Sequence, residues 1–210
     1  MKHLSTALER SLPIVASAYA EQFGVNIVLS GNDARTDGQT IYLPLLKADS
    51  DLKDVLFGYL AHEAEHVRDS DFGTIAKCKN QMEKSITNIL EDIRIEQSIQ
   101  AIFPGTRFTL TATWNYIVEQ GMSPPAMPGD NEATQLHQYL LHRLRWEELN
   151  REASKQLAES SDSVVRQTFP EGFFVRLDGL FGKYLHTLSK SDDCLKLARA
   201  ILKALKDAEE

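Results

Sequence analysis

Residues 52–70 read LKDVLFGYLAHEAEHVRDS, the stretch that constrains both fold and chemistry most tightly. At about 100° per residue, Leu52, Val55, Leu56, Tyr59, Leu60 and Val67 fall on one apolar arc, the pattern of an amphipathic helix. Asp54, Glu65, Arg68 and Asp69 project to the opposite side. His62 and His66 stand at the edge of the arc and Glu63 near its middle, where a carboxylate is costly unless it is paired or serves a metal. Residues 62–66, His-Glu-Ala-Glu-His, form an H-E-x-x-H pattern. Positions i and i+4 share a helix face, so both imidazoles can reach one ion. Glu63, about 100° round, is placed to take a proton from a water there. Zinc is the expected ion. The plainer alternative is a helix with two surface histidines and a locally paired glutamate.

A catalytic zinc takes three protein ligands and keeps one position open. His3, His137, His142 and His186 lack any supporting pattern for the third. Asp69 stands where a metzincin carries glycine and Phe72 where it carries its last ligand, so that variant of the motif does not apply. The third ligand is sought in TNILEDIRIEQSI (87–99), within a helix read over 81–102 and stopped by Pro104-Gly105. Ile86, Ile89, Leu90, Ile93, Ile95 and Ile99 give this helix its apolar arc. Asn88, Asp92 and Glu96 recur inside the arc at i, i+4, i+8, while Glu91 and Arg94 fall toward solvent. A polar stripe on a buried face requires a partner. Asp92 is read as the third ligand, Asn88 and Glu96 as groups that orient ligands, and Glu91 as the rival third ligand. A buried ion pair with Arg94 or Arg107 is the alternative explanation of the stripe.

Working outward, a helix is expected over 14–22, with Ser11 as cap and Pro13 in its first turn. VNIVLS (25–30), GNDARTDG (31–38) and QTIYLP (39–44) read as a β-hairpin or two short paired strands. Helices follow over about 108–120, 132–168, 173–188 and 192–208, with SPPAMPGD (123–130) as an interhelical connection. His137 and His142, five apart, read as surface or boundary residues, and the stripe Leu195, Leu197, Ile201, Leu202 and Leu205 as core. The expectation is a mainly α (α+β) single domain over 1–210. Its metal-site core spans 25–120, and a helical C-terminal half covers about 131–210.

Composition narrows the function class. The net charge of −7 argues against a sequence-independent nucleic-acid binder, which needs surplus Lys and Arg to neutralise phosphates. There is no apolar run of about 18 residues and no signal-peptide pattern, so no membrane association is expected. Two cysteines in unrelated contexts fit a reducing compartment. These features together predict a soluble, cytoplasmic protein.

AHEAEHVRDSDF (61–72), NILEDIRIEQSI (88–99), FPG (103–105) and TDGQTIYLP (36–44) together resemble the metallopeptidase-like domain of CobT-type proteins. That family is named after a cobaltochelatase subunit and occurs in phages and bacteria beside a MoxR-type AAA+ ATPase. The resemblance covers roughly residues 25–120. It implies His62 and His66 as zinc ligands, Glu63 as catalytic base, and a third ligand from the Asn88/Glu91/Asp92 cluster. It further implies a zincin-like fold, with the TIYLP strand bordering the cleft and pairing with an extended substrate backbone, and a bacterial or phage-infected host cell. The Asp-x-Ser-x-Ser site of the von Willebrand A domain that members usually carry does not occur in this sequence. The expected activity is zinc-dependent hydrolysis of a peptide bond, with Tyr116, Arg107, His137 and His142 as candidates for stabilising the oxyanion. The alternative is a zinc-binding adaptor that works with a MoxR-type AAA+ ATPase, or with a von Willebrand A partner encoded separately, and has little or no hydrolytic activity. A hydrolase acting on a non-peptide bond shares the same site chemistry.

Overall fold

The β-branched run that follows Gly24 forms strand β1 (Asn26–Leu29), and TIYL forms strand β3 (Thr40–Leu43), with Pro44 ending it. The two do not make a hairpin. In the computed structural model, which describes residues 6–22, 24–45 and 52–210, they pair in parallel, Asn26 opposite Thr40 and Leu29 opposite Leu43. The turn-rich segment between them contains a further strand, β2 (Arg35–Thr36), which takes the antiparallel position on the other side of β3. The sheet order is thus β1-β3-β2. The tight turn lies between β2 and β3, where Asp37 Oδ1 accepts the N–H groups of Gln39 and Thr40 and Gly38 adopts φ +91°. Hairpin logic failed because the chain passes over one strand position before turning back. Parallel pairing of this kind leaves no local sequence signal.

The fold class is as expected: mainly helical, with a small sheet near the N-terminus. By its contacts the chain divides into two compact units. The first comprises Met1–Ser70 and Ile95–Gln120. It holds helix α1 (Thr6–Tyr19), the sheet, helix α2 (Lys53–Asp69), the end of helix α4 (Gln81–Ile102) and helix α5 (Thr106–Glu119). Helix α1 begins well before residue 14, so Pro13 lies in its interior, and Ser11 donates its hydroxyl back to the Leu8 carbonyl (2.8 Å) instead of capping. Ile41 and Leu43 project from β3 into a core with Leu12, Ala16, Leu56 and Leu60, all at most 1% exposed. Helix α2 packs closely on α5 because Gly58 lacks a side chain; a Cβ there would overlap the Thr113 hydroxyl and the Thr109 carbonyl. At this crossing Thr113 donates its hydroxyl to the Val55 carbonyl (2.8 Å).

The second unit comprises Asp71–Arg94 and Gly121–Glu210. It holds the short helix α3 (Phe72–Ile75), most of α4, and helices α6 (Glu132–Glu147), α7 (Lys155–Thr168), α8 (Glu171–Tyr184) and α9 (Ser191–Glu209). Leu90 and Ile93 of α4, Leu136 and Leu140 of α6, Phe173 and Leu177 of α8, and Leu197 and Ile201 of α9 share its core. The expected single helix over 132–168 is two helices. Leu149 turns into the core, Asn150 takes φ +53°, and a 3-10 turn (Glu152–Ser154) leads into α7. Asn tolerates this left-handed conformation, so it ends the helix where neither Gly nor Pro is present. The SPPAMPGD segment is a packed connection: Ala126 is fully buried and donates its N–H to Ser161 Oγ (3.0 Å). Among the described residues no helix is long and apolar enough to cross a membrane.

Candidate metal centre

Helix α2 delivers the motif histidines to one face. The rings of His62 and His66 lie 4.8 Å apart, centroid to centroid, edge to face. His62 Nδ1 is 3.3 Å from Glu96 Oε1 on the Ile95–Ile102 part of α4. His66 Nδ1 is 2.9 Å from the hydroxyl of Ser70, the residue that closes α2. A metal-binding histidine commonly has one ring nitrogen fixed by an oxygen partner, which sets its tautomer and raises the basicity of the other. Glu96 is 3% exposed, so its carboxylate is a positioned buried group rather than a surface charge. Glu63 is 6% exposed, consistent with its place inside the apolar arc.

Ser70 had no role in the sequence reading, although its spacing, four residues after His66, is a legible signal. The opposite side of α2 also differs from expectation. Glu65 does not face solvent: its side chain is fully buried and ion-paired to Arg68, which also donates to Ser98 Oγ (3.2 Å). Burial pushes the Glu65 carboxyl above its ordinary range, and Ser98 and Arg68 offset this only in part. A wheel with one apolar arc assumes one packed face. α2 is packed by α1, by α5 and by strands β2 and β3.

In the second unit the α4 stripe separates into three environments. Asn88 is exposed, contrary to its expected place in the buried arc. Glu91, expected toward solvent, is fully buried. Arg94 donates Nε to its Oε2 (3.2 Å) and Nη2 to its Oε1 (2.7 Å), and the Ser191 hydroxyl donates to Oε1 (2.6 Å). Arg94, also expected toward solvent, is 5% exposed. Asp92 is half-buried, and its Oδ2 accepts Nη2 of Arg145 at 3.2 Å. The arginine that pairs with the stripe is therefore Arg145 of α6, and Arg94 pairs with Glu91 instead. Helix α4 runs unbroken from Gln81 to Ile102, so Asp92 precedes Glu96 by one turn on one helix face.

Of the four candidates for stabilising an oxyanion, His142 is fully buried in the second unit. Its Nε2 lies 3.2 Å from the Pro124 carbonyl and its Nδ1 3.4 Å from Ser154 Oγ, so it serves packing there. His137 hydrogen-bonds Ser85 Oγ, and burial lowers its pKa against the opposing pull of Asp92. Arg107 is exposed at the start of α5, and Tyr116 packs half-buried against the first unit's core.

Two imidazoles and a carboxylate are donors suited to a zinc ion. His62 and His66 in the first unit and Asp92 in the second are each of a donor type that can hold a metal. No known family, curated protein or solved structure matches the chain.

Proposed function

We propose that this protein is a zinc-dependent metallohydrolase, with a peptide bond as its substrate linkage. The reading is carried by one observation: each histidine of the H-E-x-x-H helix has its Nδ1 engaged by an oxygen, Glu96 for His62 and Ser70 for His66. His62 and His66 would hold the ion, with Asp92 the third ligand that the sequence pattern proposes. Zinc there supplies Lewis-acid polarisation of the scissile carbonyl and a water acidified toward a pKa of about 7. Glu63, on the same helix and beside His62, takes the proton of the attacking water on its carboxylate and returns it to the leaving amine. Its buried position supports this role, because a carboxylate shielded from bulk water keeps a proton within the site. Glu96 and Ser70 fix the two imidazoles. The similarity of both helix motifs to the CobT-type metallopeptidase-like domain points the same way. A protein or peptide is the proposed substrate, and an AAA+ ATPase the proposed partner.

Metal analysis tests the reading. Purified wild-type protein should carry about one zinc per chain. His62→Ala should lose it, and of Asp92→Ala and Glu91→Ala the first should lose it and the second retain it. A folded wild type that takes up no metal from excess zinc overturns the proposal. Peptide hydrolysis should then fall by about 10²–10⁴-fold in Glu63→Gln with the metal retained. Metal binding with no Glu63-dependent hydrolysis would instead assign the adaptor role.

A further inference from the structure

We propose that the cavity between α8 and α9 is a binding site for an amphiphilic carboxylate, with its apolar tail in the cavity and its carboxylate at Lys196. The site lies wholly within the second unit and is independent of the metal reading. Its volume is about 460 Å³, within the range of roughly 300–1,000 Å³ typical of small-molecule sites. The two helices are linked through a 3-10 turn (Leu185–Thr187) and share the second unit's core. On α8, Leu180 and Tyr184 stand one turn apart on one face. On α9, Asp193, Lys196, Leu197 and Ala200 recur at i, i+3, i+4 and i+7 and likewise share a face.

Leu180, Leu188, Leu197, Ala200 and the Tyr184 ring make the lining mostly apolar. Such a surface favours an apolar occupant, because covering it removes it from water and adds dispersion contacts. Ala200 is small and leaves space that a larger side chain would fill. The polar groups select the other end of the ligand. Thr187 donates its hydroxyl to the Tyr184 carbonyl (2.8 Å). Asp193 Oδ2 accepts the N–H (3.2 Å) and the hydroxyl (2.9 Å) of Ser189. Burial raises the Asp193 carboxyl, but the Ser189 bonds, Lys190 and Lys196 outweigh this and hold it below its ordinary range. Its charge is thus answered by its own turn and by two cations. Lys196 Nζ meets Asp192 Oδ2 at 2.6 Å. An ammonium has three donors, so Lys196 keeps others for a ligand. Lys183 Nζ lies 4.9 Å from the centre of the Tyr184 ring. Three lysines against two aspartates leave a positive excess around the cavity, complementary to an anionic end.

The experiment titrates the full chain with monomeric decanoate and with decanol and reads affinity by calorimetry. Wild type should bind decanoate at a single site, and affinity should fall about fourfold for each CH₂ removed from the tail. Decanol, which lacks the charge, should bind about two- to fivefold more weakly. In Lys196→Met that preference should vanish while decanol binding stays unchanged. Ala200→Trp fills the cavity and should abolish binding of both. A folded wild type that binds neither compound overturns the proposal. So does an Ala200→Trp that melts like wild type and still binds decanoate. Equal wild-type affinity for decanol and decanoate overturns the carboxylate assignment in favour of a neutral apolar ligand. Should Ala200→Trp fail to fold, Ala200→Leu intrudes less into the same space and should weaken both ligands; unchanged affinity there overturns the placement.

Discussion

Helices α2 and α6 each carry two histidines, and the two pairs are handled in opposite ways. His62 and His66, four apart, share a helix face in half-buried surroundings, and each turns its Nδ1 to an oxygen partner. His137 and His142 are five apart. His137 meets Ser85, whereas His142 is fully enclosed, with hydrogen-bond partners at both ring nitrogens. Burial is the larger effect on His142 and lowers its pKa, so the neutral ring is the stable form there. A histidine that serves packing is one whose two nitrogens are both consumed by its own unit. In metal-ligating histidines generally, one ring nitrogen is held by an outer oxygen partner, and Nδ1 of both His62 and His66 has such a partner. Residue type and spacing alone identify only the first pair as worth testing; the hydrogen bonds explain why the second pair is not.

The comparison can be broken at several points. The largest effect is expected on metal affinity in His66→Ala, where a ligand itself is lost. The drop should exceed the roughly hundredfold cost of losing an outer partner, with little change in the thermal melt of the metal-free protein. Equal melting and binding losses would place His66 with the packing histidines. His142→Ala should show the reverse: about 2–4 kcal/mol of lost stability in denaturant titration, from a cavity and from hydroxyl and carbonyl groups left without their partner, and unchanged metal uptake by the folded fraction. Next in size, Ser70→Ala and Glu96→Gln should each weaken metal binding by about 10–100-fold while leaving each imidazole in place as a ligand. Wild-type affinity in both would remove the observation on which the metal reading rests.

The smallest effect is a pH dependence. Burial holds the His142 imidazole below its ordinary value of 6.5, and the nearby charges of Arg145 and His137 act in the same direction, while hydrogen bonds to the Pro124 and Ser123 backbone oppose them. The unfolded chain therefore takes up this proton more readily than the folded one. The stability contributed by His142 is complete above 6.5 and declines as the pH falls through the lowered folded value. Thermal melts between about pH 5 and 8 on wild type and His142→Gln should diverge in that direction. A wild type that gains stability relative to the variant on acidification would contradict the buried, neutral assignment.

Much of the fold was legible. The ends of α2 and α4 follow from apolar periodicity and from Pro104-Gly105 just beyond α4, and the structure places them within a residue of the expected limits. Helices α5, α8 and α9 also stand where the pattern put them, with ends shifted by a few residues. What failed had physical causes. Glu65, Glu91 and Arg94 were read as solvent-facing because a helical wheel recognises hydrophobic burial and not burial as an ion pair. Each of these glutamates is buried with an arginine three residues on along its own helix. Strand β3, expected to offer an edge to an extended substrate, is the central strand and is hydrogen-bonded by β1 and β2 on its two sides.

The sequence alone determined the helical class, the motif helix and the set of donors that share its face, because a 3.6-residue period places His62, Glu63 and His66 together wherever the helix forms. Only the tertiary structure decided how those donors are held. Glu96 and Ser70 orient the imidazoles, Ser191 and Arg94 take Glu91, and Arg145 grips Asp92. Those partners lie up to a hundred residues away along the chain. A hydrogen bond requires its atoms to approach within about 3 Å, and no local periodicity encodes which distant side chain will be there.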